Sequence, residues 1–462
     1  MKHFILHIFL GLCLLTLLIA PLTAHAGPTV IRDVEIENYI EKWTHDVVEA
    51  AGLQTEQINF VLIQDPHINA FVAGGPNIFI YTGLLEKSDN PDEIIGVVAH
   101  ELGHIRGGHL VRLRDSIENA AYQSLFGTLL GAGAAILTGE GQLGTAIALG
   151  SQATAQNNFL SFSRTQEASA DQAALSYLQG AEIDPHGLVT FMEKLEDQEL
   201  LPASQQSEYI RTHPLTRDRI SALEQGYKQS AYKQNALPAQ WNEDHRRMIA
   251  KIRGFITPEQ VSWQYPDKTA DIASLYAHAI AAYRLNNVPQ AIKDIDVLIG
   301  KEPDNPYFHE LKGQVEFESG DIDASVSSYE KAVTLLPSAS MFRVAYAHAL
   351  IESARNDQTD MLEKALVELK RAETDTKNKS TRLHRLFATA YGRLGDTARA
   401  SLHLAEESML KGNHDLARKN AQRALEEFPS GSAEHLRAAD LIAYIDYKQA
   451  RAKEREQNRK RP

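Results

Sequence analysis

The chain is nearly free of cysteine: among 462 residues there is one, Cys13. That excludes a disulfide framework and a thiolate metal site, so any metal ion must draw on His, Glu and Asp. Positive charge is also scarce. Against 60 Asp and Glu stand 47 Lys and Arg, a formal net charge of −13. Such a balance is a poor match for the phosphate backbone and argues against nucleic acid as a ligand. Long apolar runs are confined to the N-terminus, where Phe4 to Ala20 is interrupted only by His7 and Thr16. Lys2, that apolar core and Ala24-His25-Ala26 before Gly27 fit a secretory leader over residues 1–26. The alternative is an uncleaved membrane anchor, for which the apolar length just suffices. Leu12, ahead of Cys13, is too large for a lipoprotein cleavage site. Export with cleavage removes Lys2 and Cys13, taking the charge from −13 to −14. Residues 124–155 are rich in Gly, Ala and Leu, but Glu140 and its neighbouring glycines break them into pieces too short to span a bilayer. They read as a helical hairpin packed in the domain, with a mobile or membrane-touching lid as the alternative.

What is present centres on His100-Glu101-Leu102-Gly103-His104, inside an apolar run without proline between Asp92 and Leu113. On a helix, residues four apart share a face, so His100 and His104 can offer two imidazoles to one ion. Zinc takes such nitrogens at roughly 2.0–2.1 Å. A carboxylate beside the metal, here Glu101, can take a proton from water and pass it to a leaving amine, the chemistry of peptide hydrolysis. A catalytic zinc needs a third protein ligand. Glu167 is expected in that role, and Asp171, four residues on, as the carboxylate that orients a ligand imidazole through its other ring nitrogen. His213 precedes Pro214 and is expected on a loop or helix entrance. There it could donate to the oxyanion of the tetrahedral intermediate or occupy the open zinc position. His109 is expected to point off the ligand face.

Upstream, residues 31–60 carry a long amphipathic helix pattern through Ile36, Tyr39, Ile40, Trp43, Val47 and Val48. Strands are expected at 58–63, 70–73 and 77–82. This small sheet can offer an edge at Ala70, Phe71 and Val72 to an extended peptide substrate. Asn90 and Pro91 then read as the N-cap and first turn of the His100 helix.

After Ala222 the character changes. Residues 224–270 read as a connector with a helix near Trp241 to Arg253. From 271 the chain repeats: Asn286, Ala291 and Pro303 correspond to Gly320, Ser325 and Pro337 at a step of 34 residues, and Gly313, Tyr329 and Ala332 complete the second unit. That is the tetratricopeptide period. Ala365 and Ala372 recur after a six-residue insertion, and Gly395, Ala400, Gly412, Ala417, Ala424 and Pro429 mark the last turns. Stacked helix pairs of this kind form a concave surface for peptide or protein partners. Residues 448–462, with seven basic and two acidic side chains, read as a solvated helix end fraying into disorder.

Taken together, His100 to His104, Glu167 with Asp171, Thr212-His213-Pro214-Leu215, and the earlier Asn69-Ala70-Phe71 and Gly83-Leu84-Leu85 resemble the gluzincin metallopeptidase family of HtpX and the CAAX prenyl proteases. The resemblance covers most of residues 30–225. It implies one zinc ion per chain on His100, His104 and Glu167, Glu101 as general base, and His213 as a regulatory histidine closing over the metal. HtpX and the prenyl proteases have membrane spans, which this chain lacks after its leader, so prenyl-peptide substrates do not carry over. The exported form with repeats is similar to periplasmic peptidase-chaperones, which implies misassembled outer-membrane proteins as substrates and their assembly machinery as partner. The expected fold is mainly α: an α+β zincin-type metallopeptidase domain with a small sheet over 27–223, the 224–270 connector, and an α-solenoid of tetratricopeptide repeats over 271–447. The expected function is an exported zinc endopeptidase. The alternative is a chaperone or binding scaffold with an autoinhibited zinc site.

Overall fold

A computed structural model of the chain describes residues 29–109, 164–199, 206–355, 358–374 and 380–459. The leader with Cys13, and the 124–155 stretch, lie outside the described residues. Strand β1 (Thr29–Ile31) leads into helix α1 (Val34–Ala50), whose N-cap Asp33 accepts from the Ile36 amide. The expected apolar stripe is buried, with Ile40, Trp43, Val47 and Val48 fully enclosed. The helix is shorter than the 31–60 pattern. It stops at Ala50 because Gly52 takes a left-handed φ of 68°, a conformation that favours glycine, and β1 occupies its expected first turn.

Strands β2 (Asn59–Gln64), β3 (Ala70–Val72) and β4 (Asn77–Tyr81) complete a four-stranded sheet in the order β1-β2-β4-β3. β2 and β4 run parallel, and β3 pairs antiparallel with β4 alone, so β3 is an edge. Thr82, expected in a strand, begins the short helix α2 (Thr82–Lys87).

Helix α3 (Pro91–Gly107) is the centre of the first half. Asn90 accepts from the Glu93 amide, Pro91 fills the first turn, and Gly108 closes the helix at φ 62°. Against α3 lie α4 (Arg164–Gly180) and α5 (His186–Glu199); α6 (Glu208–Thr212) packs on α5, and α7 (Arg217–Gln229) on α4 and α5. Gly103 sets the spacing between α3 and α4. A Cβ there would stand 2.8 Å from the Ala170 carbonyl oxygen of α4, so only glycine permits this approach.

The helix expected near Trp241 to Arg253 is α8 (Ala239–Ile256). It is packed, with Met248 and Ile252 in the first core. Its Lys251 reaches Asp33 at 2.8 Å and Glu35 at 3.0 Å. After the one-turn α9 (Val261–Gln264) come helix pairs α10 (Ile272–Arg284) with α11 (Val288–Lys301), α12 (Pro306–Glu318) with α13 (Ile322–Leu335), α14 (Ser340–Ser353) with α15 (Thr359–Glu373), and α16 (Thr381–Arg393) with α17 (Thr397–Leu410). α18 (His414–Glu427) and α19 (Ala433–Arg459) close the series. The first-helix starts Ile272, Pro306 and Ser340 follow the 34-residue step. Asn286 and Gly320, paired by the repeat, both hold positive φ after the first helix of their unit, a conformation Asn tolerates better than most residues. Gly313 lies under Tyr329, where a Cβ would come within 2.9 Å of the ring. The C-terminal stretch read as fraying continues α19 to Arg459. Lys251, together with the Tyr276 hydroxyl donating to Glu35 at 2.8 Å, joins the repeats to α1. A cavity of about 530 Å³ opens at this junction between Arg32, Lys251, Arg284, Glu310 and Arg382, away from His100. Among the described residues, no helix is long and apolar enough to cross a membrane.

Candidate metal centre

Helix α3 turns His100 and His104 to one side, with their Nε2 atoms 3.0 Å apart. Because Gly103 lets α4 approach, Glu167 meets both: Oε2 is 3.4 Å from His100 Nε2 and Oε1 is 3.4 Å from His104 Nε2. His213, the C-cap of α6 at φ −123° and ψ 78°, brings Nδ1 to 3.3 Å from Glu167 Oε1. As expected from Pro214, it stands in the loop, between the end of α6 and the start of α7. These four side chains offer donor atoms within 4.8 Å of one another, and all four are buried. The structure therefore brings the two expected imidazoles, the distant carboxylate and the loop histidine into one cluster.

The surrounding residues hold these donors in place. Asp171 Oδ1 lies 2.9 Å from His100 Nδ1. Arg219 of α7 forks onto Asp171 through Nε at 2.7 Å and Nη2 at 2.9 Å, and Nη1 lies 3.0 Å from Glu167 Oε2. The same guanidinium donates to the Pro214 carbonyl at 2.8 Å, which ties down the residue after His213. Sequence reasoning missed Arg219, because nothing in Arg217-Asp218-Arg219 marks one arginine as inward. It also misplaced His109. Extrapolating α3 sends residue 109 off the ligand face, but the chain leaves the helix at Gly108 and turns back. His109 Nδ1 then lies 2.8 Å from His104 Nδ1. Gly107 makes room, since a Cβ there would be 2.4 Å from the His109 ring.

Glu101 is fully buried, and neither carboxyl oxygen has a hydrogen bond among the described residues. Burial pushes its carboxyl up from the usual range. A buried carboxylate without a hydrogen bond is a stronger base and suits proton transfer. Burial opposes charge on His100, but the Asp171 and Glu167 carboxylates outweigh it and push the imidazole up to about 10. This negative field also attracts a divalent cation, whose binding would release that proton.

The edge strand lies against the cluster. The Tyr81 amide donates to Asn69 O and the Ala73 amide to Asn77 O, at 3.0 and 3.1 Å. The antiparallel alternation therefore turns the backbone groups of Ala70 and Val72 outward. His213 Nε2 lies 3.3 Å from the Ala70 carbonyl and 3.5 Å from Glu101 Oε1. The Phe71 side chain is not on this edge; it stacks on Phe79 at 4.9 Å in a small core. Asn69, Thr212 and Tyr209 fasten α6 to the strand: Thr212 Oγ1 donates to Asn69 Oδ1 at 3.5 Å and the Tyr209 amide to Ile68 O at 3.1 Å.

Residues 35–226 match Peptidase family M48 and residues 262–408 match a tetratricopeptide repeat family. The beta-barrel assembly-enhancing protease of Escherichia coli K12 is 26% identical over 312 residues, covering 66% of this chain and 62% of that protein. The protein of the same name from Yersinia pestis is 25% identical over 336 residues, covering 71% and 68%. The Escherichia coli metalloprotease LoiP is 30% identical over 184 residues, covering 37% of this chain and 66% of its own. The chain thus spans somewhat under two thirds of the length of the first of these relatives. The buried His/Glu cluster lies inside the segment that matches Peptidase family M48, so the chain carries an M48-type peptidase domain followed by tetratricopeptide repeats.

Proposed function

We propose that this chain is an exported zinc-dependent endopeptidase whose resting site is shut by His213. The observation that carries this reading is the convergence of His100 Nε2, His104 Nε2 and the Glu167 carboxylate at 3.0–3.4 Å from one another. Donors around a tetrahedral zinc ion stand about 3.3 Å apart, so the residues fit the ion. Asp171 and His109, each against a ligand Nδ1, favour presentation of Nε2 to it. When bound, zinc polarises a peptide carbonyl and lowers the pKa of a water. Glu101 accepts the proton from that water and returns it to the leaving amine nitrogen. Arg219 holds Asp171, and through it His100, so the imidazole plane does not turn during the reaction. Ala70 and Val72 pair with the extended substrate backbone. His213 stands where that pairing must occur, so cleavage requires it to leave the Ala70 carbonyl.

The substrate class is misassembled outer-membrane proteins in the periplasm, with the assembly machinery as partner. The name and similarity of the beta-barrel assembly-enhancing proteases support this, and the repeats would raise substrate concentration near the site. Residues 1–26 are removed on export, and mass spectrometry should find Gly27 as the mature N-terminus. The packing of His213 favours a second reading, a chaperone or scaffold whose metal site stays closed. Zinc content and casein cleavage of wild type beside Glu101→Gln test the chemistry: zinc is retained and cleavage is lost. His213→Ala tests the cap: proteolysis should rise if His213 shuts the site, and unchanged or lower activity would replace the cap with a catalytic role for His213.

A further inference from the structure

We propose that the repeat domain holds a second divalent cation of the zinc class, bound by His384, His403 and Glu406. His384 lies in the first turn of α16. His403 and Glu406, three residues apart, share a face of α17. The two Nδ1 atoms stand 3.2 Å apart, and Glu406 Oε2 is 3.1 Å from His384 Nδ1 and 3.2 Å from His403 Nδ1. Two imidazole nitrogens and one carboxylate oxygen at the corners of a near-equilateral triangle match one face of a tetrahedral zinc site, whose ligand atoms are about 3.3 Å apart. The spacing is that of the His100, His104 and Glu167 cluster.

Glu406 is about nine-tenths buried, and its Oε2 is within ion-pair distance of both imidazole nitrogens but makes no well-directed hydrogen bond to either. Only one proton can lie between the two Nδ1 atoms. A cation would satisfy all three atoms at once. The His403 ring is also held in place by stacking. His403 is stacked on Phe387 at 4.2 Å with planes 9° apart, and lies nearly parallel to Tyr391 at 5.7 Å.

The preceding repeat shows what plain structural closure looks like. Arg343, the fourth residue of α14, pairs with Glu368 of α15. His384 is likewise the fourth residue of α16. Here a guanidinium, which cannot ligate a metal, is replaced by an imidazole, and a second imidazole is added. Arg437 of α19 pairs with the other oxygen of Glu406 and reaches Glu373 Oε1 at 2.6 Å. This leaves Glu406 Oε2 for the ion, much as Arg219 braces Glu167 and Asp171. Glu373 offers a donor within 4.8 Å of the other three and is the natural fourth ligand, in exchange with water.

The site is independent of the peptidase reading and is tested on the full-length protein. Zinc-loaded, dialysed wild type should carry one more zinc per chain than Glu406→Gln or His403→Gln. His100→Ala, which disables the first cluster and leaves the repeats untouched, should still bind zinc. Anomalous scattering at the zinc edge should give a peak between His384, His403 and Glu406. The proposal is overturned if His100→Ala binds no zinc. It is equally overturned if both repeat variants fold and keep the wild-type count, or if the second peak lies elsewhere, such as at the exposed His45, Asp46 and Glu49.

Discussion

Arg219 shows how one side chain outside the ligand set governs a metal centre. It contacts Asp171 twice, Glu167 once and the Pro214 carbonyl once. A lysine retains the charge but loses the planar fork that grips Asp171. Partners that orient metal ligands typically change metal affinity about 10–100-fold. Arg219→Lys should therefore lose zinc to a competing chelator about 10–100-fold more readily, with the helical circular dichroism unchanged. Wild-type retention would reduce Arg219 to a packing residue. Asp171→Asn should behave alike, because it weakens the hold on His100 Nδ1 without changing the side-chain volume.

At the scale of elements, the decisive contact is α3 on α4. His100 and His104 are set by the geometry of a single helix, but Glu167 reaches them only because Gly103 lets the Ala170 backbone approach. Gly103→Ala leaves every donor in the chain. The added Cβ meets the Ala170 carbonyl at 2.8 Å, and overpacking of this kind costs roughly 1–3 kcal/mol. The expected outcome is lower stability in urea together with weaker zinc binding. Loss of stability with normal zinc binding would mean that α4 yields elsewhere and keeps Glu167 in place.

At the scale of the whole molecule, α8 links the two halves, and His245 reports on that link. It is 3% exposed, its ring lies 6.3 Å from Trp43, and its Nε2 is 2.8 Å from Ser88 Oγ. Ser88 gives its own proton to the Leu85 carbonyl at 2.7 Å, so the histidine must donate to Ser88. Burial, partly offset by Asp89, pushes the imidazole down to about 4. The unfolded chain takes up this proton near pH 6.5 and the folded chain only near pH 4. The resulting stability is complete above pH 6.5 and declines as the pH falls toward 4, by about 3 kcal/mol. Urea unfolding of wild type and His245→Gln should show their difference shrinking by about that amount from pH 7 to pH 4. A constant difference would show that the ring is protonated in both states or in neither.

Local order was readable from the sequence wherever the cause is local. The spacing of His100 and His104, the Asn90 cap, the buried stripe of α1 and the 34-residue step each follow from helix periodicity or from a turn residue's own conformational preference. Where a helix leaves its periodicity, the reading failed: at Gly52, which ends α1 early, and at Gly108, which folds His109 back under His104. Only the tertiary structure decided which polar groups are buried together. The Arg219 clamp, the seat of His213 on the Ala70 carbonyl, and the meeting of His384, His403 and Glu406 join segments whose spacing in the chain carries no periodic signal. Such contacts depend on how closely backbones can pack, and that closeness was set by glycines and by chain reversals that no single-helix pattern encodes.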